Sequence, residues 1–172
     1  MSPASKSEPK SKEEVKTILK DYLRAAGVDI DKEFDQEGTW GFWVKFGEFP
    51  VLIENPNKTQ FIVVAFQVTF SDPASIKTLN QLYEEEDTQS LFELTRTLTS
   101  SHTGYTRVMD RDRVIGFTLM KNIYPFHEGF IIKDLDEALQ AVVNAGTTVV
   151  ALLKFLTAQT EASEPTPSRP QG

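Results

Sequence analysis

Two histidines are the residues best suited to proton chemistry near neutral pH, and their neighbours restrict what they can do. His102 lies in the stretch SSHTG, residues 100–104, and His127 in YPFHEGF, residues 124–130. Neither belongs to an H-x-H or H-E-x-x-H spacing, so a zinc site would need partners brought in by the fold. The Ser–His juxtaposition invites a nucleophile–base reading, but it falls at a predicted helix end, where Ser, His and Gly are ordinary terminators. Asp110 and Asp112 suggest a divalent cation until Arg111 and Arg113 are seen interleaved with them. The glycine and distal glutamate of a calcium loop are missing, and a polar hairpin turn accounts for the stretch. Asp134 and Asp136 are read as a helix cap and a first-turn charge. The nine glycines are scattered and form no phosphate loop. No catalytic residue, no metal ligand and no cofactor is assigned from these patterns.

Composition narrows the classes further. The 172 residues carry a net charge of −7 and a sequence pI near 4.9, a poor basis for nucleic-acid binding, which relies on Lys and Arg to neutralise phosphates. At 40% hydrophobic and 25% charged residues the chain is globular, with room for one core. Without cysteine there is no disulfide, thiolate zinc site or thiol nucleophile. That absence and the polar opening MSPASKSEPKSKEE, which has no apolar signal region, give the expectation of a cytoplasmic protein. The most apolar long window, 138–158, is interrupted by Gln140, Asn144, Thr147, Thr148 and Lys154, so it is read as a buried helix rather than a membrane span.

The elements that must position these residues follow from periodicity. Residues 1–10 and the Pro-rich stretch 159–172 offer little to bury and are expected to be tails around a single domain at 11–158. Ser11 and Glu14 form a capping box for a first helix, whose stripe is Val15, Ile18, Leu19, Tyr22, Leu23 and Ala26 and whose stop is Gly27. Three strand-like runs follow at 39–46, 49–54 and 59–70, the last apolar on both faces near its start and so a central strand. Asp72 caps a short helix that begins at Pro73 and runs to about Tyr83. The acidic run Glu84–Asp87 introduces another helix at about 88–101, with Leu91, Leu94 and Leu98 inward. A hairpin, 105–109 and 113–121, precedes a last helix opening at Asp134, with Leu135, Leu139, Val142, Gly146, Val149, Leu153 and Leu156 as its stripe. Gly146 on that stripe is expected to admit the close approach of another backbone. The order α-β-β-β-α-α-β-β-α describes an α+β fold, an antiparallel sheet with helices packed on it.

Five aromatic residues stand within ten positions, Trp40, Phe42, Trp43, Phe46 and Phe49. Strand alternation sends Trp40, Phe42 and Phe46 toward the helices as core and Trp43 to the other side. If the three strands pair antiparallel in simple register, Leu52, Phe61 and Val63 join Trp43 there. Such a cluster is too apolar to stay in water on a small monomer. Either the helix at 73–84 covers it or another chain does.

Residues 91–156 resemble the type III secretion chaperone-like fold, including its YbjN-type members. The residues that carry the resemblance are Leu91 and Leu94 before the hairpin, Ile115, Phe117 and Leu119 in its second strand, and Asp134, Leu135, Leu139 and Val142 in the closing helix. With the opening helix and three strands it extends over about 11–158, although the helix at 73–84 departs from the simplest family plan. The resemblance implies a compact protein-binding module without cofactor, often a homodimer.

The expected function is therefore a non-enzymatic protein-interaction module, chaperone-like or regulatory. Its partner would be protein, in the first place a second copy of itself, and neither nucleic acid nor a membrane. Trp43, Leu52, Phe61 and Val63 are the candidate interaction surface. Two other readings stand beside it: a small-molecule or enzymatic pocket between sheet and helices using His102, His127 or Tyr105, and a structural subunit of a larger assembly.

Overall fold

The computed structural model describes residues 8–85 and 88–165. The outer parts of both expected tails, and Glu86 and Asp87 of the acidic run, lie outside the described residues. The elements are α1 (Lys12–Ala25), β1 (Asp29–Gln36), β2 (Thr39–Phe46), β3 (Phe49–Asn55), β4 (Ile62–Thr69), α2 (Pro73–Glu84), α3 (Thr88–Leu98), β5 (Gly104–Asp110), β6 (Arg113–Ile123) and α4 (Ile132–Ser163). The strands form one antiparallel sheet in the order β1-β2-β3-β4-β6-β5, with β4 in its interior. The α+β order expected from periodicity holds, with one strand, β1, added between α1 and the first expected strand.

Local chemistry sets the helix ends. Ser11 Oγ accepts from the Glu14 N–H at 3.2 Å to open α1. At its other end Gly27 takes φ +70°, and Val28 N–H reaches back to the Leu23 carbonyl at 2.9 Å, which closes a Schellman motif. Asp72 caps α2 through the Ser75 N–H at 2.9 Å, with Pro73 at the first helical position. The last helix starts two residues before the expected Asp134. Asp134 sits at the third helical position, and its carboxylate accepts from the Ile131 N–H at 2.9 Å. At the far end α4 runs to Ser163, past the expected boundary at 158, because Ala158, Gln159, Glu161 and Ala162 are good helix formers and nothing breaks the helix before Pro165.

All four helices gather on one side of the sheet. Lys16 and Lys20 of α1 hold their ammonium groups 5.4 and 5.8 Å from the ring centres of Trp40 and Phe42. In α4, Gly146 faces Phe66 and Val68, and those side chains share the side of Phe42, because Phe42, Ile53 and Val64 lie in one cross-strand row. α2 packs beside α4 and on β6, and α3 packs on both α4 and α2. Asn80 fastens α2 to the sheet: its amide donates to the Val114 carbonyl at 2.9 Å and accepts from the Val114 N–H at 3.0 Å. Between these layers lies the core, including Leu19, Phe42, Ile53, Phe117, Leu119 and Leu139, all fully buried.

Two expectations change at this level. A Cβ on Gly146 would come within 2.6 Å of the Phe66 ring, so the close approach is that of an aromatic side chain and not of a backbone. By length and composition α4 could cross a membrane, yet its stripe from Leu135 to Leu153 is buried against β4, β6, α2 and α3, which makes it the core helix of this domain.

Candidate functional site on the uncovered sheet face

Among the described residues no helix packs on the far side of the sheet. α2, one of the two covers expected for Trp43, packs on α4, β6 and α3 instead, and Trp43 remains 41% exposed. Register places Trp43 opposite Leu52, Leu52 opposite Ala65, and Ala65 opposite Met120. Four apolar side chains from β2, β3, β4 and β6 therefore stand side by side across the middle of the sheet. Trp43, Pro50, Leu52 and Ala65, together with Gln67 and Thr118, line a groove of about 300 Å3 on this face.

The four residues proposed from sequence separate here. Trp43 and Leu52 are direct neighbours, as simple register required. Val63 faces the same way but pairs with Glu54, one row along. Phe61 precedes β4 and lies further along in the connection from β3, where its carbonyl accepts from Asn55 Nδ2 at 2.9 Å. Ala65 takes the place next to Leu52, and Met120 the place beyond Ala65. Alternation of β4 already marked Ala65, whereas Met120 depends on the β4–β6 pairing, which no local signal specifies. Phe34 of β1, half-buried opposite Gly41, adds a further ring to this side and was not anticipated.

Charge frames the apolar row. Lys32 stands opposite Trp43, Lys45 lies two residues further along β2, and Glu54 follows Leu52 by two on β3. Both signs are therefore present on one patch. On the helix side β1 is tied down differently. Asp35 meets the ammonium groups of Lys12 at 2.7 Å and Lys16 at 2.6 Å, and Glu33 meets Lys20 at 2.7 Å. Hydrogen bonds from Lys12 and Lys16 hold the Asp35 carboxyl below the usual carboxylate range.

The candidates for chemistry stay apart. His102 takes a left-handed conformation, φ +56°, in the turn after α3, and its N–H donates to the Thr99 carbonyl at 3.1 Å. The Tyr105 ring packs edge-on against Phe117 with centres 6.0 Å apart. His127 borders a groove of about 320 Å3 with Tyr124, Glu128 and Asp134, and neither His102 nor Tyr105 reaches that groove. In the hairpin turn, Arg113 pairs with Asp110 at 3.0 Å. Among the described residues no three His, Asp or Glu side chains converge on a possible metal position.

No family model matches the chain, and no curated protein matches it. Among solved structures it is similar to the crystal structure of an uncharacterized protein from Methanothermobacter thermautotrophicus, with a TM-score of 0.67 and 16% identity over 82% of this chain and 97% of that one. At that identity the likeness concerns the fold alone.

Proposed function

We propose that this chain is a non-enzymatic protein-interaction module of the cytoplasm, akin to the type III secretion chaperone-like proteins, and that it pairs with a second copy of itself through the open sheet face. The observation that carries the reading is the row Trp43, Leu52, Ala65 and Met120, set across four strands with no helix among the described residues over it. An apolar row of this kind loses free energy in water that a partner surface recovers at roughly 25 cal/mol per Å2 buried. A second copy suits the patch because it carries both Lys32 and Lys45 and also Glu54. In a twofold pairing each patch meets itself reversed, which lets lysines of one copy approach the glutamate of the other. A partner of one strong charge sign would meet repulsion at one end.

Sedimentation or light scattering of the full chain tests this over a range of concentrations. The expected result is a dimer that Leu52→Glu converts to a monomer with an unaltered circular dichroism spectrum. A wild-type chain that stays monomeric at high micromolar concentration, or a Leu52→Glu variant that dimerises as well as wild type, overturns it.

A further inference from the structure

At the end of the domain where α1 begins, a recess of about 380 Å3 is enclosed by the start of α1, the β1–β2 turn, the β3–β4 connection and Phe126. Lys10, Lys12 and Lys58 border it, and among the described residues no aspartate or glutamate does, in a chain whose net charge is −7. A net-negative chain thus gathers three lysines around one recess. Lys12 is already paired with Asp35 at 2.7 Å. Among the described residues the Lys10 ammonium donates only to a neutral partner, the His127 carbonyl, at 3.0 Å. Among the described residues neither Lys10 nor Lys58 has an ion pair.

Lys58 is held in place by unusual backbone. Asn57 and Lys58 take φ of +49° and +57° in succession, in a turn closed by the Thr59 N–H on the Pro56 carbonyl at 3.1 Å. Asn-Gly is the favoured pair at such positions, and here lysine occupies the glycine place. The Lys58 N–H donates to the Gly38 carbonyl at 2.9 Å. Asn55, only 2% exposed, donates to the carbonyls of Thr59 at 2.8 Å and Phe61 at 2.9 Å. The loop is thereby fastened on both sides of the lysine.

The remaining lining defines the kind of molecule that fits. Ser11, Gln36, Thr39, Thr59 and Gln60, polar and uncharged, line it as well. Trp40 and Phe126, 3% and 5% exposed, present no open ring face on which a base could stack. The volume lies in the lower range of small-molecule sites, and lysine ammonium groups suit phosphate as point charges. We propose that this recess binds a phosphorylated polyol, with its phosphate at Lys10 and Lys58 and its hydroxyls at the amide and hydroxyl side chains. The proposal is independent of the self-association described above.

Titration of the isotope-labelled full chain by NMR tests it, with ribose 5-phosphate as probe and ribose and inorganic phosphate as controls. The expected result is saturable shifts around Lys58 and Thr39 with ribose 5-phosphate and none with ribose. Inorganic phosphate should bind about tenfold more weakly, and raising salt should weaken both. Lys58→Gly removes the charge while easing the left-handed backbone, so its melting temperature should stay within about 2 °C of wild type. Its affinity should fall about tenfold, and further with Lys10→Gln added. An absence of saturable shifts up to about 10 mM probe, or equal binding by the stably folded double variant, overturns the site. Inorganic phosphate binding as tightly as ribose 5-phosphate overturns the polyol assignment.

Discussion

Phe42 and Trp43 are adjacent on β2, yet Phe42 is wholly buried and Trp43 stands in the open. The same division runs through the whole sheet. On one side the strands contribute Phe42, Ile53, Val64 and Phe117 to a core closed by four helices. On the other side Trp43, Leu52, Ala65 and Met120 form a row with the same register and, among the described residues, no helix over it. Alternation along a strand decides only which side a residue faces. Whether that side is dry depends on where the helices go, and the stripes of α1 and α4 both find their partners on the Phe42 side. The difference teaches that an apolar row is core only when a second layer is supplied, and is otherwise an interface without its partner.

If that contrast is right, substitutions should divide by face. Phe117→Ala removes a fully buried ring and should lower the unfolding free energy by about 3–5 kcal/mol in urea denaturation, or prevent folding outright. Gly146→Ala comes next. It gains about 1 kcal/mol of helix propensity, but its methyl meets the Phe66 ring at 2.6 Å and Val68 at 3.2 Å, both of them buried side chains. Crowding of about 1–3 kcal/mol should win, for a net loss of about 1–2 kcal/mol. Phe66→Leu should be less harmful in the Gly146→Ala background than in wild type. A double-mutant cycle by denaturation reads that coupling directly.

The same contrast explains what sequence could and could not reveal. The faces of β2, the cap at Asp72 and the stripe of α4 were legible because each rests on neighbours a few positions apart. β1 was not. Its sequence DIDKEFDQ is charged nearly throughout and mostly exposed, so it has no hydrophobic alternation, and its place in the sheet comes from pairing with β2 and from ion pairs to α1. Charges on an edge strand also discourage further strand addition, so the signal that hid it belongs to its position. For the candidate site, Trp43 and Leu52 were legible from one tight connection, while Met120 required knowing that β6 inserts between β4 and β5. Phe61 joins that surface in the sequence only by extending alternation past the point where β4 begins. The lysine recess had no sequence signal, since Lys10, Lys12 and Lys58 come together only after α1 docks at the end of the sheet.

Asp35 sharpens the comparison at the edge where the two faces meet, because it anchors β1 to the helix side through Lys12 and Lys16. These two hydrogen bonds, that from Lys12 the larger, lower its folded-state pKa below 3.8. A depressed carboxylate contributes stability above its unfolded pKa and loses that contribution as pH falls through the folded value. Asp35→Asn should therefore melt below wild type at neutral pH, by a small margin because Asp35 is solvent-exposed. The gap should close as pH drops from about 5 to about 2.5. Melting curves across that range would show it, and a gap that widens on acidification would assign the pairing the wrong sign.

The smallest expected change in stability is the one that separates the faces most cleanly. Trp43→Ala removes the largest ring on the open side, and in a monomeric sample it should alter the unfolding free energy by no more than about 0.5 kcal/mol. Its neighbour Phe42, truncated in the same way, should cost about 3–5 kcal/mol. Self-association should behave in the opposite sense, with Trp43→Ala weakening it by about tenfold or more. Measuring both quantities on one variant matters, because a Trp43 that packs mainly within its own chain would lower stability and association together. A loss of association without loss of stability is the outcome that only an uncovered, partner-facing ring produces.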